Sequence, residues 1–157
     1  MKRLSLLVLG ITLMIGVWSC GTNDRNKVLL HRNFPTMNWE RFDFVKDNIE
    51  IQKATVYDLV LKATFDPEYA YNDFSVVFTV FDAYGNPFRT KAYQFCLKDK
   101  DGTWKSTLVD GCYHFSFPIN NELSINEPGT YCFQLESRMP ITPLYGIKEV
   151  SIVNKNK

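Results

Sequence analysis

The chain has 157 residues, of which 45% are hydrophobic, 15% aromatic and 22% charged, and its net charge is +1. That length supports one domain with a sizeable core and no need of metals or several disulfides. The near-neutral balance gives no support for the concentrated basic face that nucleic acid requires and argues against the polybasic patch that anionic membranes attract.

The chain opens as a targeting signal. Lys2 and Arg3 form a short basic region, and residues 4–18 are a mostly apolar run. The run is shorter than the roughly 20 residues of a membrane-spanning helix and fits a secretory signal over residues 1–19. Val17-Trp18-Ser19-Cys20-Gly21 follows. This segment resembles a bacterial lipobox, with cleavage before Cys20 and a lipid on its sulfur, although Trp18 stands where a small residue is usual. Several buried acyl chains, at about 0.8 kcal/mol per CH₂, would hold the protein to a bilayer far longer than one chain. Loss of Lys2 and Arg3 takes the charge from +1 to −1. Residues 20–27 read as the lipidated cysteine and a polar tether. Surface-exported lipoproteins of Bacteroidetes resemble one another in an acidic run after the cysteine. Only Asp24 is acidic here, which favours the periplasmic side, at the outer membrane first and the inner membrane second.

Residues 28–157 read as one all-β domain, because period-2 alternation recurs and long helical periodicity does not. A first short strand is expected at 28–31. Tyr57, Leu59, Leu61, Ala63 and Phe65 alternate with polar residues and mark a half-buried strand ended by Pro67. Residues 74–81 are apolar on both faces, as a central strand is, and 82–87 form a turn. Tyr93, Phe95 and Leu97 begin another stripe, and Asp99-Lys100-Asp101-Gly102 makes a hairpin turn. Tyr113, Phe115 and Phe117 follow, closed by Pro118. Glu127-Pro128-Gly129 turns into a strand at 130–136, and 146–153 supply the last. Residues 39–48 have mixed character and receive no assignment. Seven or eight short strands at this spacing predict an antiparallel β-sandwich or jelly roll.

Few residues suggest chemistry. With Cys20 lipidated, Cys96, Cys112 and Cys132 remain; all sit on the polar phase of their strands, and spacing does not choose a pair among them. They lack the short ligand spacings of a zinc site. Cys112 and His114 share a strand face but lie roughly 7 Å apart at about 3.3 Å per residue, too far for a nucleophile and its base. Asp99-x-Asp101-Gly102 resembles a fragment of a calcium loop but lacks the glutamate at its twelfth position. No catalytic residue, metal or cofactor is expected. Trp39, Tyr69, Tyr71 and Trp104 lie in or beside predicted loops, where exposed aromatics form a sugar-stacking or protein-binding surface and buried ones pack the sandwich edge.

Taken in order, several segments resemble the gliding-motility lipoprotein GldH family of Bacteroidetes. They are the signal, Tyr69-Ala70-Tyr71-Asn72-Asp73-Phe74, the run from Phe95 through Lys98-Asp99-Lys100-Asp101-Gly102-Thr103 to Trp104, Glu127-Pro128-Gly129-Thr130-Tyr131-Cys132-Phe133, Met139-Pro140 and Leu144-Tyr145-Gly146-Ile147. The resemblance implies a non-enzymatic accessory lipoprotein of an envelope machine, associated with gliding motility and type IX secretion, with envelope proteins as partners. The alternative from the residues alone is a carbohydrate-binding lipoprotein using Trp39, Tyr69, Tyr71 and Trp104.

Overall fold

A computed structural model describes residues 26–155. The signal, Cys20 and most of the tether lie outside the described residues. Eleven strands are present: β1 Asn26–Asn33, β2 Asn38–Trp39, β3 Val45–Ile51, β4 Thr55–Phe65, β5 Asp73–Phe81, β6 Pro87–Cys96, β7 Leu108–Val109, β8 Cys112–Ile125, β9 Gly129–Ser137, β10 Leu144–Tyr145 and β11 Ile147–Lys155. No helix occurs among the described residues.

One sheet has the order β1-β11-β4-β8-β7 and the other β3-β9-β5-β6, with β2 and β10 paired separately. With the three two-residue strands set aside, the chain pairs first with last and second with second-last, and closes on the β5–β6 hairpin. This nesting is the jelly roll, which packs two antiparallel sheets over one core. The expected sandwich is therefore present.

The core follows the alternation in the sequence. Leu59, Leu61, Ala63 and Phe65 of β4 face Phe74, Val76, Phe78 and Val80 of β5 and Phe133 and Leu135 of β9, all essentially solvent-free. Each fully buried Leu, Val or Phe contributes about 2–3 kcal/mol by removal from water. Phe78 and Tyr57 both meet the ring of Phe133 edge-on, at 5.7 and 5.8 Å.

Three expectations differ from the structure. A strand, β3, occupies 45–51 within and beyond the segment left unassigned. It is an edge strand with Lys46, Asn48 and Glu50 outward and Asp47, opposite Phe133, on the inward phase, so charge hides its period. Pro118 does not close its strand; β8 runs on to Ile125. Pro118 sits opposite Val60 at a register shift, on a strand whose outer neighbour β7 is only two residues long, and an edge position tolerates the missing N–H. β6 begins at Pro87, ahead of the aromatic stripe at Tyr93.

Register also fixes direction. Asn26 pairs with Lys155 and Asn33 with Glu149. The described chain therefore enters and leaves at one end of the sandwich, shared with the turns 52–54, 82–86 and 126–128. The other end gathers four longer connections, 34–44, 66–72, 97–111 and 138–146.

Candidate functional site

Four of the five segments that carry the family resemblance in the described domain meet at that second end. Leu97 N and Lys98 N both donate to Asn72 O, at 2.8 and 3.2 Å, which joins the 66–72 and 97–111 connections. Asp66 N donates to Gly146 O and Gly146 N to Met37 O, each at 2.9 Å, which ties in 138–146 and 34–44. Ser75 N reaches Met139 Sδ at 3.3 Å. The segment around Glu127-Pro128-Gly129 lies at the opposite end, where Gly129 pairs with Ile51.

Gly146 is the closest point of this junction. Its φ of +84° lies in the left-handed region, and a Cβ there would stand 2.9 Å from Tyr69 Cα and 3.1 Å from Tyr69 N. Only glycine fits both the backbone and the approach. Tyr69 is sealed beneath, with its hydroxyl donating to Asp73 O at 2.8 Å. Burial chiefly, then the charge of Asp73 and the neighbouring Tyr71, pushes its phenol far above the usual range. Lys98 Nζ donates to Tyr69 O at 2.6 Å and lies 4.4 Å from the Trp104 ring centre. Desolvation lowers the pKa of that ammonium. The turn that carries it closes as expected: Asp99 N donates to Thr103 O at 2.8 Å and Gly102 N to Asp99 O at 2.9 Å.

The four sequence-predicted aromatics do meet here, but not as an exposed surface. Trp39 and Tyr69 are each 1% exposed. Trp39 stacks on Phe34 at 5.1 Å and its indole N–H donates to Asp43 O at 2.7 Å. Tyr71 packs edge-on to Tyr69 at 5.4 Å, and half-buried Trp104 stacks on Tyr113 at 4.1 Å. A jelly roll leaves the end of its core open, and these loop aromatics plug it, with backbone carbonyls taking the Trp39 and Tyr69 polar groups. Trp39 and Tyr69, offered as part of a sugar-stacking surface, are thus engaged in packing.

What the end presents instead are residues the sequence reading did not single out. Phe42 is 78% exposed and Tyr145 60%, with Ile141 and Met37 beside them in exposure. Phe42, Arg41, Arg138, Met139 and Pro140 line a cleft of about 380 Å³. Arg41 braces it: its N–H donates to Thr142 Oγ1 at 2.8 Å and its guanidinium to Pro140 O at 3.3 Å. Met37 and Phe42 hold positive φ values of 54° and 67°. Non-glycine residues rarely adopt that region, and each such position costs on the order of 1 kcal/mol. One signal for the surface was legible. In the β2–β10 pair, Leu144 and Trp39 oppose one another inward, which turns Tyr145 and Asn38 outward.

The remaining reactive side chains are dispersed. His31 Nε2 lies 2.9 Å from Glu149 Oε1, an exposed pair on the outer face of the first sheet. His114 contacts Thr64 Oγ1 at 3.2 Å and Val109 O at 3.3 Å. Cys96, Cys112 and Cys132 are free and stand on three different strands. Cys112 is buried rather than on a polar face, with Lys148 Nζ 3.4 Å from its sulfur. Among the described residues no group of three or more His, Cys, Asp or Glu is placed to hold a metal.

A family model described as GldH lipoprotein matches residues 30–153. A search of curated proteins finds no match. Among solved structures, the crystal structure of dimeric latent PorU from Porphyromonas gingivalis is similar, with a TM-score of 0.37 and 5% identity over 84% of this chain. This chain spans 13% of that one, and a likeness at this level carries no argument about function. Membership of a lipoprotein family implies membrane anchoring through lipid and a place in the cell envelope.

Proposed function

The chain belongs to the GldH lipoprotein family, and on that premise we propose that it is a non-enzymatic interaction module, anchored by lipid on Cys20 and accessory to the gliding and type IX secretion machinery. Its position is the periplasmic face of the outer membrane. The four-loop end docks an envelope protein.

The observation that carries this reading is the pairing of exposure with strain at Met37 and Phe42. Exposed apolar side chains on unfavourable backbone do nothing for stability, so their use is sought in binding. Polarity of the domain supports it. β1 starts at the end opposite the loops, six residues after Cys20 in the sequence. Those six residues reach at most about 20 Å, while β1 itself rises about 26 Å towards the loop end. In this reading the lipid on Cys20 attaches on the side where the described chain begins, opposite the exposed apolar cluster.

Metabolic labelling with a fatty-acid probe, followed by separation of inner and outer membranes, tests the anchor. Label and outer-membrane recovery are expected for the wild type, and loss of both for Cys20→Ala. Labelling that persists in Cys20→Ala overturns the anchor, and recovery in the inner membrane overturns the position.

A further inference from the structure

Strand β6 is the outer edge of its sheet, and its first six residues, 87–92, are all exposed. Arg89 pairs with Val80 and Lys91 with Phe78. Both partners are core residues, 0% and 1% exposed, so Arg89 and Lys91 stand on the inward-facing side of the edge. The next residue on that side, Tyr93, closes the two sheets together, its hydroxyl donating to Ile119 O of β8. Beyond it the sheets part. A cleft of about 610 Å³ opens there, lined by Lys91, Tyr93, Pro118, Ile119, Asn120 and Glu122. Lys91 Nζ lies 5.0 Å from the Tyr93 ring centre, and neither Arg89 nor Lys91 belongs to an ion pair among the described residues.

We propose that this edge receives an additional β-strand from a protein partner: an extended segment with acidic side chains at alternate positions, which meet Arg89 and Lys91. An open edge offers a row of backbone donors and acceptors that any strand can use, and side chains of period 2 set which strand is accepted. Cations at positions two apart on one face match carboxylates at the same spacing, each cross-strand pair adding to the backbone ladder. The same cations exclude a second copy of this chain. Antiparallel self-pairing centred anywhere between Arg89 and Lys91 sets cation opposite or diagonal to cation, which destabilises it. They also disfavour neutral apolar strands, which would cover Arg89 and Lys91 and set no carboxylate opposite them.

The test uses the full lipidated chain in detergent micelles and a labelled nine-residue peptide of alternating glutamate and threonine. Controls replace glutamate by lysine, or place proline at the peptide's centre to interrupt the ladder. Fluorescence anisotropy is expected to give saturable binding of the glutamate peptide at least tenfold tighter than either control. Hydrogen-exchange mass spectrometry should then show protection confined to 87–92 and absent from β3, the other edge of the sheet. The double change Arg89→Glu, Lys91→Glu should reverse the preference to the lysine peptide, a gain that an unfolded variant cannot produce. Equal binding of glutamate and lysine peptides, no protection of 87–92 at millimolar peptide, or a dimer by analytical ultracentrifugation would each overturn the proposal.

Discussion

Gly146→Ala probes the junction that holds the four loops. A left-handed backbone costs an alanine about 1–2 kcal/mol. Its Cβ would also stand 2.9 Å from Tyr69 Cα, well inside the 3.5–4.0 Å of optimal carbon contact. The obstructing atom is backbone and cannot swing aside. It is held by Tyr69 N donating to Asp66 O at 3.0 Å, while Asp66 N binds Gly146 O at 2.9 Å. Relief means separating the two loops, at about 1–3 kcal/mol for overpacking, or breaking one of those hydrogen bonds at about 1 kcal/mol. The sum is about 2–5 kcal/mol, a large part of the 5–15 kcal/mol typical of a domain. Gly102→Ala is the matched control, because Gly102 has nearly the same φ, +85°, with nothing within 4 Å of an added Cβ. It should lose only about 1–2 kcal/mol through backbone conformation. Urea unfolding of the two variants isolates the steric part as a difference of about 1–3 kcal/mol. Equal losses would refute the close approach of the loops.

Phe42→Asn should leave stability unchanged or raise it by up to about 1 kcal/mol, since asparagine tolerates the left-handed backbone, while partner binding falls; thermal melts and capture compare the two. Lys98→Met should lose about 1–2 kcal/mol by removing the donor to Tyr69 O and the cation over Trp104, read by urea unfolding. Tyr69 has a folded pKa raised above its unfolded value, so its contribution is complete below about pH 10 and lost as pH rises above it. Alkaline unfolding should therefore be shallower in Tyr69→Phe. Asp82 and Asp101 carry the opposite sign: backbone N–H donors, from Asn86 to Asp82 and from Thr103 to Asp101, lower their pKa values. Their contribution is present above about pH 4 and lost on acidification, so the stability gap between wild type and Asp82→Asn should close at low pH.

Most of the sandwich was legible because its central strands alternate. Tyr57, Leu59, Leu61, Ala63 and Phe65 show period 2 directly, and the apolar run of β5 declares a strand covered on both sides. Edge strands were harder. β3 carries charge on both faces, with Asp47 on the inward phase, and the first half of β6 places Arg89 and Lys91 on the inward side, so neither shows an apolar stripe. The Asp110-Gly111 hairpin between β7 and β8, with φ values of 49° and 73°, went unread because β7 has only two residues. At the loop end the sequence identified the cluster and left its exposure open. Trp39 and Tyr69 lie between turn residues, and only the closing of the core end by the loops decides that they point inward.

The central claim is that the anchored domain engages an envelope protein through its loop end. A photo-crosslinking amino acid placed at Phe42, at Tyr145, or at Tyr84 of the opposite end tests this in living cells carrying the full chain. Phe42 and Tyr145 are 78% and 60% exposed, and Tyr84 is 90% exposed, so access favours the control. A discrete crosslinked species from positions 42 and 145, absent at 84, is the predicted result. A species from 84 with none from 42 or 145 would contradict it.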